Sequence, residues 1–264
     1  PLEKVLQMNS MFDYANQAMG HAYLQEENYT EALRYFRLAK SAEGYSDAFW
    51  EVRNIWIRNY LVMAVAMIVV FAVALSLYKR RQRIKYGEDG VPAYLSQKVP
   101  LLGSLKYSLY FMRHPFDGCY GVKREGKASL ACANILIAAY ILVSIIEKYF
   151  SGFLVKTVRE GRYDIISDIG TVIFIGLTLC NYLVVTINEG EAFLHELYCA
   201  YAYCLTPFII IKPFVVILSN VLTYNEVFLI SFANIIIVVW MVVLLLISVK
   251  EMNNFSVKET AKAL

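Results

Sequence analysis

Several runs of about twenty residues in this chain carry almost no charge, the length a helix needs to cross a ~30 Å hydrocarbon layer. Such runs constrain the fold more than any motif does, because the backbone of each must satisfy its own polar groups once water is gone. Composition agrees. The 264 residues are 58% hydrophobic and 18% charged, with a mean hydropathy of +0.48, against roughly 45–50% and about 25% in soluble domains. A soluble enzyme, a secreted disulfide scaffold and a disordered chain are excluded. The net charge of +3 says little, since the placement of Lys and Arg matters more than their sum.

Five spans are expected, at about 59–78, 129–147, 166–187, 197–219 and 227–249. The fold class is therefore all-α, a polytopic helical membrane bundle preceded by a helical hairpin. Lys79, Arg80, Arg81, Arg83 and Lys85 follow the first span directly, whereas Arg53 and Arg58 precede it. The positive-inside rule places residues 79–128, with eleven Lys and Arg, in the cytoplasm and the N-terminal module outside. Alternation then makes 148–165 and 220–226 external. Lys148, Lys156, Arg159 and Arg162 run against this assignment and are outvoted by the longer basic segment. Residue 1 is a proline and the C-terminus has no stop signal, so both ends read as cut.

Residues 1–58 read as an extracytoplasmic helical module. Met19-Gly20, Tyr23, Ala32, Phe36 and Ala39, closed by Gly44, resemble the tetratricopeptide repeat, in which small residues sit where two helices touch. An ordinary amphipathic helix pair is the other reading. Either way the module's expected work is contact with protein, with Tyr23, Tyr29, Phe36 and Tyr45 as its contact residues. Asp47 to Arg58 continues into the first span without a breaker, and a rigid helix there would carry the module's orientation to the bilayer.

Polar residues inside the spans are few. Asn181, Lys212, Asn220 and Asn234 are within them, and Glu147 lies at an edge. Intramembrane ionisable groups are costly and often functional. Lys212 lies in Thr206-Pro207-Phe208-Ile209-Ile210-Ile211-Lys212-Pro213, where two prolines interrupt a helix. It reads either as a substrate or ion site or as a lysine snorkelling to the outer interface. Snorkelling is the simpler reading, since no acid lies deep in another span.

Two stretches carry a family resemblance. One is Leu105-Lys106-Tyr107-Ser108-Leu109-Tyr110-Phe111-Met112-Arg113-His114-Pro115-Phe116-Asp117-Gly118. The other is Asn188-Glu189-Gly190-Glu191-Ala192-Phe193 followed by Tyr201-Ala202-Tyr203-Cys204-Leu205-Thr206-Pro207. Together they resemble the bacterial branch of the Yip1 family of integral membrane proteins, over roughly residues 100–264. The resemblance implies five spans after a cytoplasmic segment; only four follow residue 128, so a sixth span of the whole chain would lie beyond Leu264. It also implies association with binding-protein-dependent carbohydrate importers.

Read as physics, Leu105, Leu109 and Met112 recur at helical spacing, with Lys106 and Arg113 at the edges. That pattern suits a helix lying in the interface with its bases toward anionic headgroups. His114-Pro115 ends it, Phe116 anchors the turn and Asp117 caps the next element. An acid–base role for His114 and Asp117 lacks a nucleophile or a second carboxylate. Glu189, Glu191 and Glu196 either meet the basic segment or are solvated loop charges. No catalytic residue, cofactor or metal site is expected. The five cysteines have no Cys-x-x-Cys spacing and read as small buried residues. The basic cluster suits the inner bilayer face better than nucleic acid.

The expected organisation is a helical module at 1–58, a span at 59–78, a cytoplasmic segment at 79–128 and a Yip1-like membrane domain at 129–264. The expected function is a non-enzymatic accessory or scaffold subunit of a bacterial cell-membrane complex, with a carbohydrate ABC importer as the candidate. Its partners are lipid and membrane or extracytoplasmic proteins, not nucleic acid. The rivals are a self-contained transporter or channel around Lys212 and a lipid-binding or membrane-shaping protein.

Overall fold

In the computed structural model the described residues are 6, 8, 9, 12–86, 100–159, 180–184, 186, 192–256 and 260. Their regular elements are all helical, in agreement with the all-α expectation. Four helical segments are long and apolar enough to cross a membrane: Ala42–Arg81, Leu130–Phe150, Leu194–Ser219 and Tyr224–Asn253. The span expected at 166–187 lies mostly outside the described residues.

The chain divides into two compact units. The first joins Pro1–Arg81 to two segments distant in sequence, Phe150–Arg162 and Val216–Ser231. Here α1 (Asp13–Gln25) and α2 (Tyr29–Leu38) form a hairpin, followed by α3 (Ala42–Tyr86). Both turns are Schellman endings without glycine. Asn28 N–H donates to Tyr23 C=O at 2.9 Å around Glu27 (φ 58°), and Ser41 N–H donates to Phe36 C=O at 3.0 Å around Lys40 (φ 51°). The Asn28 side chain then caps α2 by accepting from Glu31 N–H.

Phe36 fills the space between the helices at 0% exposure, with Ala32 and Ala48 equally enclosed. A Cβ on Gly20 would lie 2.8 Å from the Phe36 ring, and one on Gly44 would also overlap it, so both positions require a residue without a side chain. The distant segments complete this core. In α7 (Phe153–Arg159) Leu154 is buried in the same cluster, and the Phe153 ring lies 4.7 Å from that of Tyr45. Arg53 of α3 grips Glu226 through two hydrogen bonds of 2.7 and 3.2 Å and donates to Val221 C=O at 3.1 Å. The hairpin, residues 150–159 and the 220–226 loop, which sequence alternation assigns to one side of the bilayer, thus fall within one unit.

Gly152 sits at a crossing of these loops. Its N–H donates to Ser219 Oγ at 2.9 Å, and an added Cβ would overlap the Ser219 carbonyl oxygen and lie 2.8 Å from its carbon. Backbone atoms cannot swing aside as a side chain can. Gly152→Ala is expected to cost about 1–3 kcal/mol by overpacking, read as a lower unfolding temperature in detergent. An unchanged transition would mean that the two loops are not held this closely.

The second unit contains Gln82–Tyr149, Tyr163–Val215 and Phe232–Leu264. Its elements are α4 (Pro100–Arg113), α5 (Pro115–Lys123) and most of α6 (Leu130–Phe150), α8 (Leu194–Cys204), part of α9 (Thr206–Ser219) and most of α10 (Val227–Asn253). Helix α8 is buried nearly all round: Leu197 and Ala200 to Tyr203 are at 0% exposure, with Cys199 and Cys204 close behind. A helix apolar on every side belongs at the centre of a bundle. The span expected over 197–219, with two prolines interrupting it, breaks at Leu205, where Pro207 supplies no backbone donor to the turn before it, whereas Pro213 lies inside α9. A third glycine-free Schellman ending closes α10, where Phe255 N–H donates to Lys250 C=O around Asn254 (φ 54°).

Candidate functional site: a motif-lined cavity and an intramembrane ion pair

The His114-Pro115-Phe116-Asp117-Gly118 motif forms the corner between α4 and α5. Helix α4 stops at Arg113, His114 is the N-cap residue of α5 with no side-chain capping bond, and Pro115 follows at the first position. Gly118 lets the two helices close, since a Cβ there would come 2.6 Å from the buried Phe111 ring. Tyr107 Oη donates across the corner to Gly118 C=O at 3.0 Å and Asp117 C=O at 3.3 Å. Burial, reinforced by nearby Glu125, pushes the Tyr107 hydroxyl up to about 12, so it stays a donor at neutral pH.

The corner encloses a cavity of about 760 Å³ on its open side. Lys106, Arg113, Lys127, His114, Asp117 and Glu125 all reach it, with Tyr107, Tyr110 and Tyr120 among the walls. Lys127 pairs with Glu125 at 2.5 Å and lies over the Tyr107 ring. Tyr110 Oη donates to Asp117 Oδ2 at 3.4 Å, so Asp117 is held by a neighbouring tyrosine and does not act as the N-cap expected of it. The buried face of α4 is Ser104, Ser108 and Phe111, whereas Leu109 is exposed and Leu105 and Met112 are half-buried. Of the apolar stripe named from sequence, Leu105 and Met112 pack against the core beside that face, and Leu109 alone is turned outward. Phe116 is 55% exposed, and its ring lies under Lys250 Nζ at 6.0 Å instead of anchoring the turn.

Within the spans, Lys212 of α9 corrects the snorkelling expectation. Its Nζ lies 2.9 Å from Glu147 Oε1 of α6 and donates to Asn234 Oδ1 of α10 at 2.7 Å. The Lys212 and Glu147 side chains are only 6% and 10% exposed, and the Phe208 ring covers the ammonium from 5.4 Å. One polar cluster thus ties three apolar helices. Its partner was visible in the sequence as a matter of depth. Glu147 ends its span, Lys212 lies seven residues before the end of the next-but-one, and Asn234 lies seven residues after the start of the last. Alternation over the five spans expected from sequence would set all three toward the same face.

The other sequence candidates fall in different places. Asn181 is buried and accepts from Tyr201 Oη, and Thr206 and Pro207 are buried at the α8–α9 break. Thr206 Oγ1 has no hydrogen-bond partner among the described residues. Lys79, Arg80 and Arg81 are exposed on α3. Glu189, Glu191 and the Arg83 side chain lie outside the described residues. In the hairpin, Phe36 and Tyr45 are buried in its core while Tyr23 and Tyr29 are half-exposed, so only the latter two present surface to a partner. Cys119, Cys132, Cys199 and Cys204 are buried free thiols, and Cys119 and Cys204 flank Ser248 Oγ at 3.8 and 3.4 Å. Among the described residues no cluster of His, Cys, Asp or Glu is arranged to hold a metal ion.

Neither a curated protein nor a solved structure matches the chain. A family model does match. Its segment starts after the His114–Gly118 corner and takes in α7 to α10, including both prolines of the Lys212 helix. With its several apolar helices in contact with lipid, this is a multi-pass membrane protein whose residues 151–264 match the Yip1 domain.

Proposed function

We propose that this chain is a non-enzymatic accessory or scaffold subunit of a bacterial membrane complex, with a carbohydrate ABC importer as the candidate assembly. The observation that carries the reading is α3. It runs unbroken for 45 residues, about 68 Å at helical rise, from the hairpin through an apolar window of which 0% is buried within the chain. A span that no described residue buries offers its surface to lipid or to a neighbouring subunit. On its hairpin side the Arg53–Glu226 bonds fasten it to a loop of the Yip1-matching region, as a rigid bracket requires. The hairpin then faces outward like a tetratricopeptide module, and residues 79–128 face the cytoplasm.

Purification in gentle detergent is expected to bring down the importer's membrane subunits at fixed stoichiometry. The chain alone in liposomes is expected to carry no sugar flux. A chain that elutes alone while the importer elutes intact would overturn the proposal. The Glu147–Lys212–Asn234 cluster favours a second reading, a transporter built around a buried charge. Flux from the purified chain that Glu147→Gln abolishes would establish that reading in place of the first.

A further inference from the structure

We infer that the α4–α5 cavity binds the phosphodiester of an anionic lipid headgroup bearing free hydroxyls. Lys106 and Arg113 stand two helical turns apart on α4, both exposed at the cavity, and neither makes an ion pair among the described residues. The third cation, Lys127, is engaged by Glu125. Three cations against two carboxylates leave one net positive charge. That balance suits a phosphodiester, which carries one negative charge, better than a phosphomonoester, which carries about −1.5 to −2 at neutral pH. Arginine offers a planar fork to the two non-bridging phosphate oxygens and lysine a point charge beside them.

The rest of the cavity fits what lies beyond the phosphate. Asp117 uses one carboxylate oxygen to accept from Tyr110 and has the other to accept from a ligand hydroxyl. A volume of about 760 Å³ exceeds what a lone phosphate fills. The lipid source is favoured by the surroundings: Leu109, Phe116 and Tyr120 are 45%, 55% and 63% exposed on the same two helices, an apolar and aromatic rim of the kind that settles at a membrane interface.

The test uses the full chain in nanodiscs of phosphatidylcholine doped with either phosphatidylglycerol or oleic acid, and glycerophosphoglycerol free in solution. Retained lipid is read by native mass spectrometry. Phosphatidylglycerol is expected to be retained preferentially, and Lys106→Gln with Arg113→Gln to weaken it about 30-fold, from roughly 1 kcal/mol for each basic group. Both side chains are exposed, so folding should survive, as the unfolding temperature will show. Lys79→Gln with Arg80→Gln is the control for general attraction. Equal losses from the two pairs, or equal retention of oleic acid, would overturn the phosphodiester site. Glycerophosphoglycerol binding as tightly as the intact lipid would overturn the lipid source.

Discussion

Glu147→Gln is expected to destabilise the protein by about 3–5 kcal/mol, the usual result of removing one member of a buried ion pair. Its carboxylate lies 2.9 Å from Lys212 Nζ in a setting where both side chains are almost fully enclosed. Glutamine keeps the size but not the charge, and the ammonium then relies on Asn234 Oδ1 and the Phe208 ring for what the carboxylate supplied. The double variant Glu147→Leu with Lys212→Met should recover most of the loss, because it removes both desolvated charges at once. Unfolding in detergent, arranged as a double-mutant cycle, reads the coupling directly. A loss below about 0.5 kcal/mol, as for an ordinary surface change, would show that the pair does not hold the three helices. Asn234→Leu should cost less, about 0.6–1.7 kcal/mol, as typical of polar contacts between spans.

Phe36→Ala is the second large effect, at about 3–5 kcal/mol for emptying a fully buried aromatic site. The ring is at 0% exposure and Gly20 and Gly44 are shaped around it. Loss is expected first as faster amide exchange across residues 13–48, since local units can open below the global transition. Gly44→Ala alone should also weaken the hairpin, by pushing a methyl group into the ring. Combined with Phe36→Leu, whose smaller side chain makes room, its cost should fall well short of the sum of the two. Strict additivity would mean that Gly44 and Phe36 do not meet.

The hairpin shows how far local patterning reaches. Gly20, Ala32, Phe36 and Gly44 are recognisable as a close helix contact from their spacing alone. The turns beside them were not legible, because the usual sign of a Schellman ending is glycine and these use Glu27 and Lys40. Tyr45 shows the reverse limit: a residue that reads as surface for a partner is enclosed by Leu154 and Phe153, more than a hundred positions away. At the α4–α5 corner the motif announces a helix end, but the cavity depends on Tyr107 reaching across to Gly118.

Hydropathy is a property of each segment by itself, so the sequence alone determined that apolar helices would cross lipid and roughly where the described ones would lie. It also determined the stop before Pro115. Which helix faces meet is a property of pairs, and a run of leucines and isoleucines scarcely distinguishes one neighbour from another. Tertiary structure therefore decided that Lys212 pairs with Glu147, that Arg53 grips Glu226, and that α8 is enclosed from Leu197 onward. These are the contacts whose energies depend on removing charge and bulk from lipid or water together, which no residue does alone.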